Sequence, residues 1–181
     1  MPSHIAFLRA VNIGKRQVKM AAQREWLEED GFTDVETYIQ TGNVRVSTSM
    51  RSAAKVEKRL EKLLLEKCGF EVPCIMFTPA ELRQVYDDAL ALEPPPYADR
   101  DDSRRYVIFF KDAPTAEHVT QCESYRAELE RAWVVGRAAH VWIAGGFADA
   151  KVFGALSKVF EPGTNRNFNV LTTLAARWGA A

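Results

Sequence analysis

Hydrophobic and polar positions in residues 1–78 predict six elements in the order strand, helix, strand, strand, helix, strand. HIAFLRAV is largely apolar, as a buried strand requires, whereas SAAKVEKRLEKLLLEKCGF repeats apolar residues at helical spacing with Lys and Glu opposite them. DVETYIQ and NVRVSTS are short strands joined by TGN, in which Gly42 and Asn43 tolerate the positive φ of a tight hairpin. The resulting βαββαβ order is that of a ferredoxin-like split sandwich.

A similar series of elements follows a proline-rich linker. EPPPYADRDDS separates the helix that begins at TPAEL from the strand RRYVIFFK, and consecutive prolines favour a stiff spacer. The pattern then predicts a helix, two strands, a helix from DAKVFGALSKVF and a last helix from about Thr164, with no final strand.

We therefore expect an α+β protein with two ferredoxin-like (βαββαβ split sandwich) units in tandem, the second incomplete or variant. The units are predicted over residues 1–78 and 104–181. A connecting helix and the Pro-rich linker are predicted over 79–103.

Composition narrows the classes of protein and of site. Apolar residues make up 47% of the chain and the formal net charge is zero, which argues against a protein that coats nucleic acid or another polyanion. Three cysteines at unrelated spacings (Cys68, Cys74 and Cys122) indicate reduced thiols. With no signal peptide pattern and no membrane-length apolar run, the sequence predicts a cytoplasmic protein that is not membrane-bound.

Familiar catalytic and cofactor motifs do not occur in the sequence. No segment matches the phosphate loop GxxxxGK[ST] or the serine hydrolase elbow GxSxG, and His4, His118 and His140 lack metal-ligand spacing. We therefore expect no metal and no cofactor. The third predicted strand, NVRVSTS, has no aromatic residue, which disfavours sequence-specific RNA binding of the kind seen on similar sheets.

Polar residues at three predicted turns form the candidate ligand site. Arginine and amide side chains at turns suit phosphate or carboxylate recognition, and the third turn is predicted to open a helix, where backbone N–H groups attract anions. RAVNIGKR supplies Arg9, Asn12 and Lys15; QTGN supplies Gln40, Thr41 and Asn43; GTNRN supplies Asn165, Arg166 and Asn167.

Turn and capping chemistry explains most of these residue types without a ligand. Arg9 is the exception, because by strand alternation it shares a face with Ile5 and Phe7. A charge on an apolar face needs a partner or a ligand, so Arg9 faces either a ligand or an internal carboxylate.

The same three stretches resemble the domain-of-unknown-function family 1697 of bacterial proteins. Family members read LLRGINVGG…M, TYIQSGNV and TRNWNT, and this chain reads FLRAVNIGKRQVKM, TYIQTGNVRV and GTNRNFNV in the same order. The resemblance implies an α+β fold with tandem ferredoxin-like units, and it implies no activity because the family is uncharacterised. This chain differs from the family pattern at three positions. In the first motif Ala10 replaces a glycine and Lys15 replaces the second glycine of a pair, and in the third motif Phe168 replaces a tryptophan.

From these residues we expect a protein that binds a small anionic or nucleotide-like ligand near the junction of the two units. One alternative is a hydrolase of a phosphorylated small molecule, with chemistry like that of acylphosphatases. Another is a protein-interaction module in which the motifs are structural. No pattern in the sequence indicates a protein partner, and the missing catalytic motifs weigh against an enzyme.

Overall fold

The computed structural model describes residues 1–40 and 42–179, and Thr41 therefore lies outside the described residues. The described part contains eight strands and seven helices. The strands are β1 Ser3–Leu8, β2 Thr33–Tyr38, β3 Asn43–Ser47, β4 Cys74–Phe77, β5 Arg104–Phe109, β6 Glu130–Val135, β7 Ala138–Ile143 and β8 Thr164–Asn167. The helices are α1 Met20–Glu29, α2 Ala53–Cys68, α3 Pro79–Ala91, α4 Ala116–Ser124, α5 Val152–Ala155, α6 Ser157–Phe160 and α7 Phe168–Trp178.

The chain divides into two compact units. The first consists of Met1–Leu82 together with the C-terminal residues from Arg177, and the second of Arg83–Ala176. Each unit has one four-stranded antiparallel sheet, so the protein is α+β. The described residues include no helix long and apolar enough to cross a membrane.

The first sheet has the strand order β2-β3-β1-β4. Ile5 of β1 lies opposite Arg45 of β3 and Phe77 of β4. The face of the sheet that carries Ala6 and Leu8 packs against α1 and α2. Leu27 of α1 and Leu60 of α2 belong to the same hydrophobic core. The apolar periodicity of α2 is thus buried on one side, as its sequence predicts.

Glu36 of the first sheet binds residues from the end of the chain. Its Oε2 accepts hydrogen bonds from Arg177 Nη2 at 3.1 Å and from Trp178 Nε1 at 2.9 Å, and its Oε1 accepts one from Arg45 Nη1 at 2.7 Å. Burial opposes ionisation of Glu36, but these hydrogen bonds and the two arginine charges together lower its pKa. Glu36 is therefore ionised near neutral pH and holds Arg177 and Trp178, which belong to the first unit.

The second sheet has the strand order β6-β7-β5-β8. Ile108, Val141 and Ala132 on one face form a core with Cys122 of α4 and Val152 of α5. This sheet corrects the prediction that the second unit lacks a final strand.

Strand β8 is the element that the sequence pattern missed. It pairs with β5, with Thr164 opposite Phe109 and Asn167 opposite Tyr106. Its burial alternates, with Thr164 and Arg166 buried, but the buried positions are polar and so give no hydrophobic signal. The last helix therefore starts at Phe168, not near Thr164, and Asn167 caps it by accepting a hydrogen bond from Val170 N at 2.9 Å.

The helix predicted from DAKVFGALSKVF is interrupted at Leu156, which leaves α5 and α6 as two short helices.

Glu130 fixes the start of α5. Its carboxylate accepts hydrogen bonds from Tyr125 Oη at 2.8 Å, Lys151 N at 2.9 Å and Val152 N at 2.7 Å. This buried carboxylate thus accepts hydrogen bonds from three donors, two of which are backbone N–H groups at the start of α5.

Replacing Glu130 with glutamine is expected to lower the free energy of unfolding by about 2–3 kcal/mol, because an amide N–H₂ then faces backbone donors. Urea denaturation of the purified variant measures this loss. The matched control is Glu128→Gln, since Glu128 is exposed. A loss no larger than that of the control contradicts the role assigned to Glu130.

Candidate functional site

The first predicted motif forms a turn that follows β1. Leu8 N donates to Gly42 O at 2.8 Å and Arg9 N donates to Pro73 O at 2.9 Å. Positive φ angles follow at Ala10 (54°) and Asn12 (56°). Arg9 is half-buried and comes directly after the last residue of β1, so the turn rather than the strand sets its position.

Asn12 connects the first motif to the second. Its Oδ1 accepts from Val18 N at 2.7 Å, and its Nδ2 donates to Gln40 O. The side chains of Lys15 and Gln40 are exposed. Asn43 is 1% exposed, and its Nδ2 donates to Tyr38 O at 2.9 Å. The structure thus brings the first two motifs together and gives Asn12 and Asn43 hydrogen bonds that stabilise turns.

The conformation of Ala10 accounts for the glycine found there in the resembling family. An L-residue in the left-handed region costs roughly 1–2 kcal/mol, and the exposed Ala10 side chain has no buried contact to offset it.

Ala10→Gly is expected to stabilise the protein by up to about 1 kcal/mol, after the larger unfolded-state entropy of glycine is subtracted. Ala54→Gly, in the exposed face of α2, is the control for urea denaturation and is expected to destabilise. Destabilisation by Ala10→Gly contradicts the strain assigned to Ala10.

The third motif divides into buried and exposed residues along β8. Arg166 is 6% exposed, and its Nη1 donates to Thr164 Oγ1 at 2.8 Å and to Asn165 O at 2.7 Å. Burial lowers the pKa of Arg166 to about 10. Asn165 and Asn167 are exposed, and Asn167 reaches a second site described next.

A cleft in the second unit was not anticipated from the sequence. It has a volume of about 530 Å³ and includes residues from β5, β7, β8 and the start of α7. We call it the Arg105 cleft; its lining residues are Ala98, Ser103, Arg104, Arg105, Tyr106, Trp142, Asn167, Phe168 and Asn169.

Arg105 is held by two aromatic rings. Its guanidinium carbon lies 4.7 Å from the ring centroid of Trp142 and 4.1 Å from that of Phe168, within the range of a cation–π interaction. Phe168 in turn stacks on Tyr86, with centroids 6.1 Å apart and an interplanar angle of 13°. These contacts fix the guanidinium in one place.

The charge of Arg105 has no carboxylate partner among the described residues. Its Nη2 donates to Ala89 O, a neutral acceptor, whereas its Nε is buried without a hydrogen-bond partner there. Burial lowers the pKa of Arg105 to about 10, so the side chain remains a cation at neutral pH. Arg104 beside it donates to the carbonyl oxygens of Asp101 and Ser103 at 2.8 and 2.7 Å.

Two further buried donors belong to residues of the cleft. Ser103 Oγ and Trp142 Nε1 have no hydrogen-bond partner among the described residues. Leaving such a group unpaired costs about 1–3 kcal/mol. Several unpaired donors at one place are typical of a polar site that a ligand or water completes.

His140 lies on β7 in the same unit and is completely buried. Burial and the positive charge of Arg105 lower its pKa to about 4. The imidazole is therefore neutral near pH 7 and adds no positive charge to that of Arg105.

The start of α7 adds to the cleft. Asn167 caps the helix through its Oδ1, and the first backbone N–H groups of a helix have no intrahelical acceptor. They carry part of the positive end of the helix dipole. Of the eight predicted site residues that the structure describes, Asn167 is the one that lines the Arg105 cleft.

The fold of the whole chain is similar to that of a known structure. Over 99% of its length it resembles the structure of conserved bacterial protein SP0830 from Streptococcus pneumoniae, covering 99% of that chain with a TM-score of 0.75 and 21% sequence identity. A likeness at this identity shows the fold alone. The comparison with curated proteins gave no match.

Family membership rests on the sequence. The family described as "Protein of unknown function (DUF1697)" matches residues 1–140. That range contains the first two motifs and Arg105, while Trp142, Asn167 and Phe168 lie beyond it. The family's description names no activity, substrate or partner. The match extends over well more than half of the chain, and this protein therefore belongs to the DUF1697 family.

Proposed function

We propose that this protein binds a small anionic ligand in the Arg105 cleft of its second unit. The observation that carries the proposal is the Arg105 guanidinium, fixed between two aromatic rings in a cleft and without a carboxylate partner among the described residues. A partly buried charge is costly unless it is paired. An anionic ligand supplies the missing partner.

The surroundings of Arg105 support the same proposal. Arg104 adds a second positive charge, and the lining residues include no aspartate or glutamate. Asn167 and the start of α7 add an amide and backbone donors. Each of these groups favours an anion over a neutral or cationic ligand.

The ligand roles predicted for the other motif residues stay predictions. Hydrogen bonds within turns or along β8 already involve Asn12, Asn43 and Arg166. The remaining predicted positions are Arg9, Lys15, Gln40 and Asn165. Replacing each in turn in the binding assay below separates a ligand contact from a structural role.

We also propose that both units are ferredoxin-like split sandwiches. The orders β2-β3-β1-β4 and β6-β7-β5-β8 follow the same scheme, and in each sheet the first strand of the unit lies between the third and the fourth. The βαββαβ order of the first unit supports this assignment. It also explains why helices cover one face of each sheet.

Arg105→Met is expected to weaken binding of the tightest anion by about tenfold to a hundredfold, because a charge-assisted hydrogen bond contributes about 1.5–3 kcal/mol. A panel of inorganic phosphate, nucleotides, sugar phosphates and carboxylates is first ranked by thermal shift. Isothermal titration calorimetry then gives the dissociation constant for the native protein and the variant.

Arg131→Met is the matched control. Arg131 is a half-buried arginine of the same sheet that donates to the carbonyl oxygens of Ala127 and Glu130 and does not line the cleft. Its replacement is expected to leave the dissociation constant unchanged. Equal losses in the two variants, or no anion that binds, contradict the proposal.

The enzyme and interaction-module alternatives stay predictions as well. Acyl-phosphate hydrolysis above background that Arg105→Met abolishes would make the site catalytic. Turnover at the background rate would leave it a binding site.

A further inference from the structure

The two rings beside Arg105 lie on opposite sides of its strand. Trp142 faces Arg105 across the pairing of β5 with β7. Phe168 follows Asn167, the last residue of β8, on the other side of β5. Strands that flank a common neighbour are about 9.5 Å apart. A guanidinium carbon 4.7 and 4.1 Å from the two ring centroids therefore lies between the rings.

This arrangement restricts how a ligand approaches Arg105. With Trp142 on one side of the guanidinium and Phe168 on the other, we expect a base or another ring to find no free face on which to stack. On the edge of the guanidinium, Nη2 donates to Ala89 O, while the buried Nε has no hydrogen-bond partner among the described residues. The edge of a guanidinium is the geometry that pairs with the oxygens of phosphate or carboxylate.

The charge and the number of donors favour phosphate over carboxylate. Arg104 and Arg105 give the lining two positive charges, and no aspartate or glutamate is among the lining residues. A phosphomonoester carries a charge of about −1.5 to −2 and three acceptor oxygens, whereas a carboxylate carries one charge on two oxygens. Ser103 and Trp142 also line the cleft, and each has a buried donor without a hydrogen-bond partner among the described residues.

The size and the remaining residues of the cleft describe the rest of the ligand. A cleft of about 530 Å³ is in the range of sites for organic molecules and is much larger than inorganic phosphate. Asn167 and Asn169 offer amide groups on its wall, and amides both donate to and accept from hydroxyl groups. A hydroxylated body uses these groups better than an apolar one.

We infer that the ligand is the phosphomonoester of a small hydroxylated molecule, such as a sugar phosphate, whose phosphate binds Arg105 edge-on. The inference rests on the proposed function and names the class of anion for the same cleft. It excludes ring stacking on Arg105 as a source of affinity.

Calorimetric titration of the protein with four probes tests the class of ligand. The probes are glucose phosphate, gluconate, glucose and inorganic phosphate, which separate the contributions of the phosphate and of the hydroxylated body. Glucose phosphate is expected to bind at least about tenfold more tightly than each of the others. Its affinity is expected to fall toward pH 5, because the second pKa of a phosphomonoester is about 6.

A second pair of probes tests the edge-on geometry. Adenosine monophosphate and ribose phosphate are expected to bind within about threefold of each other, since the base finds no guanidinium face. Phe168→Leu uncovers one face, and it is expected to increase the affinity for adenosine monophosphate relative to ribose phosphate.

The outcomes separate the inference from the proposed function. Gluconate binding as tightly as glucose phosphate, with loss of both in Arg105→Met, overturns the phosphomonoester and leaves an anion site. A large advantage of adenosine monophosphate over ribose phosphate in the native protein overturns the edge-on geometry. No anion whose binding depends on Arg105 overturns both the inference and the proposed function.

Discussion

Gly42→Ala is expected to lower the free energy of unfolding by about 3–4 kcal/mol, the sum of a left-handed backbone penalty and a steric clash. Gly42 has a φ of +81°, and a Cβ at this position would lie 2.7 Å from Val11 Cγ2 and 2.8 Å from Leu8 Cβ. Neither neighbour is free to move, because both are buried core residues. Chemical denaturation of the purified variant measures the loss.

Gly69→Ala separates the two contributions. Gly69 has a similar φ of +75°, but no atom lies within 4 Å of the position of its Cβ. Its replacement is expected to cost about 1–2 kcal/mol from backbone strain alone. A loss in Gly42→Ala that equals the loss in Gly69→Ala contradicts the close packing of the turn on β1.

Gly163→Ala is expected to have a comparable effect for a different reason. The added Cβ would lie 2.5 Å from Ile108 Cγ2 and 2.9 Å from Phe109 O. The carbonyl belongs to the backbone of β5, so relief requires β8 to move away from the strand with which it pairs. Overpacking of this kind costs about 1–3 kcal/mol or more.

The control for Gly163 is Gly154→Ala. Gly154 lies in α5 and has open space at its Cβ position. Alanine favours a helix over glycine by about 1 kcal/mol, so this variant is expected to be as stable as the native protein or more stable.

Because β8 contributes Asn167 to the Arg105 cleft, Gly163→Ala is also expected to weaken anion binding. Unchanged stability and affinity in Gly163→Ala contradict the tight pairing of β8 with β5.

The sequence predicts those parts of the fold that rest on hydrophobic periodicity. β1, α2 and β4 each bury a regular set of apolar residues, and the same is true of β5 and β7. β8 escaped prediction because its buried residues are Thr164 and Arg166. Pairing with a neighbouring strand, rather than its own composition, makes this segment a strand.

The candidate site was predicted less well than the fold. The sequence motifs at turns predicted Asn12 and Asn43 as site residues. In the structure, their side chains form hydrogen bonds within or between turns. Arg105 lies in RRYVIFFK, where paired arginines at the start of an apolar strand are the signal that sequence reasoning missed. Its surroundings depend on strand register, which places Trp142 opposite it. Register between distant segments cannot be read from periodicity.

The side-chain Nε–H resonance of Arg105 reports directly whether Arg105 binds an anion. It is assigned in nitrogen-15 spectra by its loss in Arg105→Lys and is followed while inorganic phosphate and glucose phosphate are added. If Arg105 binds the anion, this resonance shifts in a saturable way, while that of Arg131 stays in place. A resonance of Arg105 that does not move while either anion raises the melting temperature would contradict anion binding by Arg105, because the anion then binds elsewhere.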